Sequence, residues 1–162
     1  MIKLFLANLE NYNNGEIVGE WVELPIDLNN SEEYIINDYQ TNIEGLRIGK
    51  HDSIQELSEL EDEYDNLSIK EQTTVKSIME WEYYSDIKDA IYNVNNFVLI
   101  EGVTNDEEYG NYIIEYNLMG EAPMFLIKYI DMERLGNDTY SRSENYYSGN
   151  GLISRRDMMN IY

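Results

Sequence analysis

Apolar and polar positions alternate over much of the first fifty residues and recur at spacings of three and four after them, so the chain reads as sheet first and helix next. Ile2 to Leu9 (IKLFLANL) predicts a strand, in part apolar on both faces. Asn13-Asn14-Gly15 is a turn signal and Gly19 a second flexible point. Glu20 to Leu24 alternates as a second strand, stopped by Pro25. Asn29-Asn30-Ser31 reads as a loop and Glu33 to Tyr39 as a third strand, which together predict a small antiparallel sheet.

Three capping boxes mark helix starts in the middle of the chain: Ser53-x-x-Glu56, Ser68-x-x-Glu71 and Thr104-x-x-Glu107. After Ser53 the stripe Ile54, Leu57, Leu60, Tyr64 and Leu67 predicts one buried helix face. A second helix is expected over about Ile69 to Tyr83, with Val75, Ile78, Met79 and Trp81 as core, and a third over Asp86 to Val94. Phe97 to Ile100 reads as a strand. A helix after Thr104 would carry Tyr109, Tyr112, Ile113 and Tyr116 on one face. Gly120 to Pro123 breaks the chain, Pro123 fits a first-turn position, and Phe125 to Leu135 is expected to be the last helix. Residues 136–151 read as loop or hairpin, with closing strands at Leu152-Ile153 and Met158 to Tyr162. The class is α+β, with boundaries near residues 52 and 96. No internal repeat is visible.

Charge changes the picture. The chain of 162 residues has 32 acids against 11 Lys and Arg, a net charge of −21. Residues 1–51 carry net −6, residues 52–121 net −15, and residues 122–162 are balanced. A direct nucleic-acid binder needs a basic face, and adhesion to an anionic membrane needs one too. Both are excluded. With 43% hydrophobic and 12% aromatic residues, the chain is not a disordered acidic tail. Duplex DNA carries one charge per ~1.7 Å of axis, so twenty-one charges match roughly 36 Å of duplex, about ten base pairs. Glu56, Glu59, Glu61, Asp62, Glu63 and Asp65 fill the arc left by the apolar stripe of the first helix, despite like-charge repulsion such as that between Glu59 and Glu63. The rest of the acidic set is Glu71, Glu80, Glu82, Asp86, Asp89, Glu101, Asp106, Glu107, Glu108 and Glu115. A solvated face that aids solubility is the bland alternative.

Catalytic chemistry is hard to find. The chain has no cysteine, which removes disulfides, thiolate zinc sites and a cysteine nucleophile. Gly45 to His51 (GLRIGKH) has a phosphate-loop look, but the glycine spacing is one short and His follows Lys50. His51 is the single histidine and has no second imidazole to complete a metal site. It reads as a loop residue, and Trp21 and Trp81 as core. No calcium-loop pattern appears. No catalytic, cofactor-binding or metal-ligating residue is assigned. The N-terminal apolar stretch is too short for a signal peptide, and no apolar run reaches 18 residues, so the expected location is the cytoplasm.

FLANLENYNNGEIVGEWVELPID (Phe5 to Asp27) resembles the opening of the ArdA antirestriction proteins, with its Tyr-Asn-x-Gly, Gly-x-Trp and Pro-Ile-Asp elements. EEYIINDYQ (Glu32 to Gln40) and LMGEAPMFLIKYIDMERLGND (Leu118 to Asp138) are similar to two further family segments, and the order of the helices between them corresponds. The resemblance implies an elongated chain of three small domains, here 1–52 (sheet-rich), 53–95 (helical and acidic) and 96–162 (mixed, with the dimer contact). It implies a homodimer encoded on mobile DNA. It also implies a DNA mimic that occupies the DNA-binding methyltransferase core of type I restriction–modification enzymes. Leu118, Gly120, Pro123, Tyr129, Ile130 and Asp131 mark the family-motif region and a candidate dimer contact. The chain departs from the family pattern in a short stretch between Asp27 and Glu32, in Asn37 and Met132, and in Arg142, Arg155 and Arg156, which interrupt a phosphate-like surface. An inhibitor of another DNA-handling defence protein, such as a CRISPR effector, has the same electrostatic logic. A carboxylate-pair hydrolase would instead have one or two individually essential acids, and an acidic chaperone-like module would bind basic proteins without selecting shape.

Overall fold

The chain opens with β1 (Ile2–Asn8), the centre of an antiparallel sheet ordered β2-β1-β3, where β2 is Gly19–Glu23 and β3 is Tyr34–Thr41. The computed structural model describes residues 1–26 and 33–158. The expected Asn29-Asn30-Ser31 loop and residues 159–162 of the last expected strand lie outside the described residues. Alternation on β1 places Ile2, Leu4 and Leu6 in the core, and the register shifts between Phe5 and Leu6 opposite β3. Helix α1 (Leu9–Asn13) precedes the predicted Asn14-Gly15 turn. It is too short for periodicity to reveal, and the expected strand ends at Asn8, which caps the helix: Asn8 Oδ1 accepts the amides of Glu10 and Asn11 at 3.0 and 3.1 Å. Helix α2 (Ile54–Asn66) packs against β1. These elements belong to one compact unit, Met1–Ser68.

The other compact unit is Ile69–Tyr162. Helix α3 (Ile69–Glu80) starts where the Ser68 box predicts, and α4 (Ile87–Tyr92) follows with Asp86 as its cap. A second antiparallel sheet is ordered β4-β6-β5, from β4 (Phe97–Glu101), β5 (Asn145–Ser148) and β6 (Gly151–Arg155). Helix α5 (Asp106–Glu115) packs on α7 (Met132–Tyr140). Ile100, Val103, Tyr109, Ile113 and Leu152 form a shared core there. The fold is thus mixed α+β.

Four local features differ from expectation. The Thr104 box is displaced by one residue: Asn105 caps α5 by accepting the Glu108 amide at 3.0 Å. The single helix expected over Phe125 to Leu135 is two helices, α6 (Met124–Ile127) and α7. Asp131 restarts the chain by accepting the Arg134 amide at 3.0 Å, which a continuous helix would have given to a backbone carbonyl. Pro123 accordingly stands just before α6 rather than inside its first turn, and residues 136–140 are helical rather than loop.

Candidate functional surface

Helix α2 carries the densest charge on any described element. Ser53 Oγ accepts the Glu56 amide at 3.3 Å and fixes its start. Leu57, Leu60 and Tyr64 are buried as the stripe predicts. Glu61 is buried with them, which corrects its assignment to the acidic surface. At ~100° per residue it falls beside Leu57 and Tyr64 at the margin of the apolar arc. It accepts the Ile2 amide at 2.7 Å and pairs with the Met1 ammonium at 2.8 Å, while its Oε2 has no hydrogen-bond partner.

The other five acids, Glu56, Glu59, Asp62, Glu63 and Asp65, are exposed and fan over about half of the helix circumference. The helix has no basic residue, and none of the five has an ion pair to a described cation. A carboxylate near a helix N-terminus is favoured by the helix dipole, as for Glu56. Glu63 and Asp65 sit at the other end, where the dipole disfavours anions by about 0.3–1 kcal/mol each.

Elsewhere the structure separates acids with a local task from acids without one. Glu108 accepts the Thr104 amide at 2.7 Å and hydroxyl at 2.9 Å, and these bonds hold its carboxyl below the usual range. Asp106 accepts the Tyr147 hydroxyl and the Asn137 side-chain amide, both at 2.8 Å. Glu80 receives the Gly149 amide on both oxygens, at 2.9 and 3.1 Å. Asp86 accepts the Lys88 amide at 2.9 Å. Glu71 is half-buried and is engaged by a neighbour. Glu82, Asp89, Glu101, Glu107 and Glu115 are exposed.

Tyr147 gives this network a pH signature. Burial, then the bond to Asp106, raises its phenol well above the ordinary value, and Tyr140 is raised by burial and by the same carboxylate. A raised phenol stabilises the fold fully below the unfolded value of about 10, and that contribution is lost as pH rises beyond it. Stability should therefore fall above pH ~10, with part of the phenolate absorbance appearing only as the protein unfolds. Tyr147→Phe should flatten that fall; an unchanged slope would count against the shifted phenol.

The motif region is unusual for its exposure. Leu118 packs on the core, Gly120 adopts a left-handed φ of 90°, Ile130 is half-buried and Pro123 is exposed. Tyr129 is 74% exposed, Met124 88% and Phe125 69%, with Tyr116, Met119 and Leu126 also open. The sequence pattern places Phe125 to Ile127 in a helix and does not say which of its faces other elements cover. Trp21, expected in the core, is 46% exposed. Two of the three tail arginines are structural supports. Arg155 binds the Tyr83 hydroxyl at 2.7 Å and pairs with Asp157 at 2.8 Å, and Arg156 donates to the Asn95 carbonyl at 2.9 Å. Among the described residues, no three His, Asp or Glu side chains gather as a metal ion would need, and no helix is long and apolar enough to cross a membrane.

Fold and surface together define an acidic α+β protein with exposed carboxylates on several of its helices. The family model described as "Antirestriction protein (ArdA)" matches residues 4–153, and the chain belongs to that family. Antirestriction, and with it interaction with restriction enzymes, is the function of that family, which is one of inhibitors rather than enzymes. No curated protein matches the chain.

Proposed function

We propose that this protein inhibits type I restriction–modification enzymes by presenting a counterfeit of the DNA backbone to their DNA-binding methyltransferase core. The observation that carries this reading is the line density of charge on α2. Five exposed carboxylates lie between residues 56 and 65, which a rise of 1.5 Å per residue spreads over about 13.5 Å. That is one charge per roughly 3 Å, close to the ~3.4 Å phosphate spacing of a single strand. Cations lining a DNA cleft meet such a row as they meet phosphates, and the field of the whole chain steers the encounter. The α2 acids act as a set, and the exposed Glu82, Asp89, Glu101, Glu107 and Glu115 of the other unit add to the field of the chain. In this reading the segment 53–95 is the acidic middle of a three-part chain, with 1–52 and 96–162 flanking it. The site of action is the cytoplasm, where restriction enzymes meet incoming DNA. The decisive experiment replaces the α2 acids together and measures competition with duplex DNA for the methyltransferase core.

The same reading includes a homodimer through the apolar residues of 116–129. Exposed patches of this kind mark association surfaces. Two chains of net −21 repel, so salt should tighten the dimer while it weakens target binding. Phe125→Asp should leave stability within about 0.5 kcal/mol, since the side chain is exposed. It should shift light scattering from a dimer to the 19.1 kDa monomer. A parent that is monomeric at all salt concentrations would remove this part of the reading.

A further inference from the structure

Trp21 stands on β2, an edge strand, at 46% exposure. The β1–β2 register sets Phe5 opposite it, with ring centroids 5.6 Å apart and planes tilted by 60°. On its other side Phe5 faces Asp38 of β3. The strand is held close: a Cβ on Gly19 would collide with the Leu6 carbonyl, so glycine permits the approach. The aromatic pair is thus displayed on rigid, register-locked backbone rather than on a loop. On the Trp21 face of the sheet stand Glu23, two residues along β2, and the exposed Asp38 across from Phe5, while Glu20 lies on the opposite face; the exposed Glu16, Ile17 and Val18 lead into the strand. Among the described residues the one cation opposite this strand is Lys3, and Glu23 engages it at 3.3 Å.

A rigid aromatic in an acidic rim has the anatomy of a binding hot spot. The rim selects the occupant. A second copy would set acid against acid, which is costly, and nucleic acid is repelled by the same charges. A cationic protein cleft satisfies both parts, since Arg and Lys pair with the rim and an Arg guanidinium stacks on tryptophan. We infer that Trp21, backed by Phe5, is an apolar anchor that inserts among the basic side chains of the target's DNA-binding cleft; this rests on the mimic reading given above. DNA supplies charge to such a cleft in any sequence, and the anchor supplies the grip that lets a protein compete with it.

The test uses the full chain and a purified type I methyltransferase core. Trp21→Ala should weaken binding about thirty-fold or more, the threshold of a hot spot, and leave the slope of affinity against salt unchanged, because no charge is removed. Neutralising the α2 acids should instead lower that slope. If Trp21→Ala binds like the parent while the neutralised protein does not, the anchor is wrong and the mimic stands; if neither change matters, the mimic reading fails with it. Loss of self-association in Trp21→Ala would make this face a contact between copies and would overturn the inference. Should Trp21→Ala not fold, Trp81→Phe leaves Trp21 as the sole indole. Its emission should then shift to the blue and resist acrylamide on complex formation, and an unchanged spectrum and quenching would refute the anchor.

Discussion

A variant carrying Glu56→Gln, Glu59→Gln, Asp62→Asn, Glu63→Gln and Asp65→Asn is expected to fold as stably as the parent and to inhibit roughly sixty- to four-thousand-fold less well. Each exposed charge contributes roughly 0.5–1 kcal/mol to a contact, so five remove about 2.5–5 kcal/mol, and ~1.4 kcal/mol is a factor of ten. Any one substitution alone should cost less than about five-fold by the same arithmetic. Stability moves the other way. Repulsion at spacings of three and four, as between Glu59 and Glu63, disappears at about 0.2–0.5 kcal/mol per pair. Glu63 and Asp65 no longer oppose the helix dipole, which offsets the favourable term lost at Glu56. The Leu57, Leu60, Tyr64 and Glu61 contacts are untouched. Weak inhibition therefore could not be blamed on unfolding. A folded five-fold variant that still displaced duplex DNA as the parent does would end the mimic reading, and a single acid as essential as the whole set would point to catalysis instead.

How far the sequence carried this result depends on the element. The sheet and α2 were legible because alternation and a three-four stripe record which face is buried, and Ser53 records where the helix starts. Glu61 was misplaced because a residue at the margin of an apolar arc is settled by what lies opposite, here the Ile2 amide, which no local pattern contains. Trp21 is exposed for the reverse reason: a large apolar residue is expected in the core, while exposure is decided by which faces other elements leave uncovered. The break at Asp131 was available in principle as a capping residue, but the apolar run before it favoured one long helix. The acids of α5 show a limit of charge counting. Asp106 and Glu108 belong to the density that suggested a mimic, yet their oxygens are committed to Tyr147, Asn137 and Thr104.

Gly136→Ala is expected to destabilise the second unit by about 2 kcal/mol, the opposite of the usual sign. Within a helix, glycine is worse than alanine by about 1 kcal/mol, so the exchange ordinarily helps. Here α5 and α7 touch backbone to backbone. A Cβ at Gly136 would collide with the Asp106 carbonyl and lie 2.9 Å from the Gly110 amide nitrogen, and a Cβ at Gly110 would collide with the Met132 carbonyl. Such atoms cannot rotate away as a side chain end would, so the overpacking cost lies near the upper part of the usual ~1–3 kcal/mol and outweighs the helix gain. At ~4–8 °C per kcal/mol for a unit of this size, Tm should fall by roughly 10 °C. The crossing also positions Asp106 under Tyr147 and Asn137. Forcing the helices apart should therefore return the Tyr147 phenol toward its ordinary titration, which simple loss of stability elsewhere would not do. Below its lowered Tm the variant should still inhibit, since the carboxylates of α2 lie in Met1–Ser68. A Tm that rises on this substitution would mean that the two helices do not meet at these glycines.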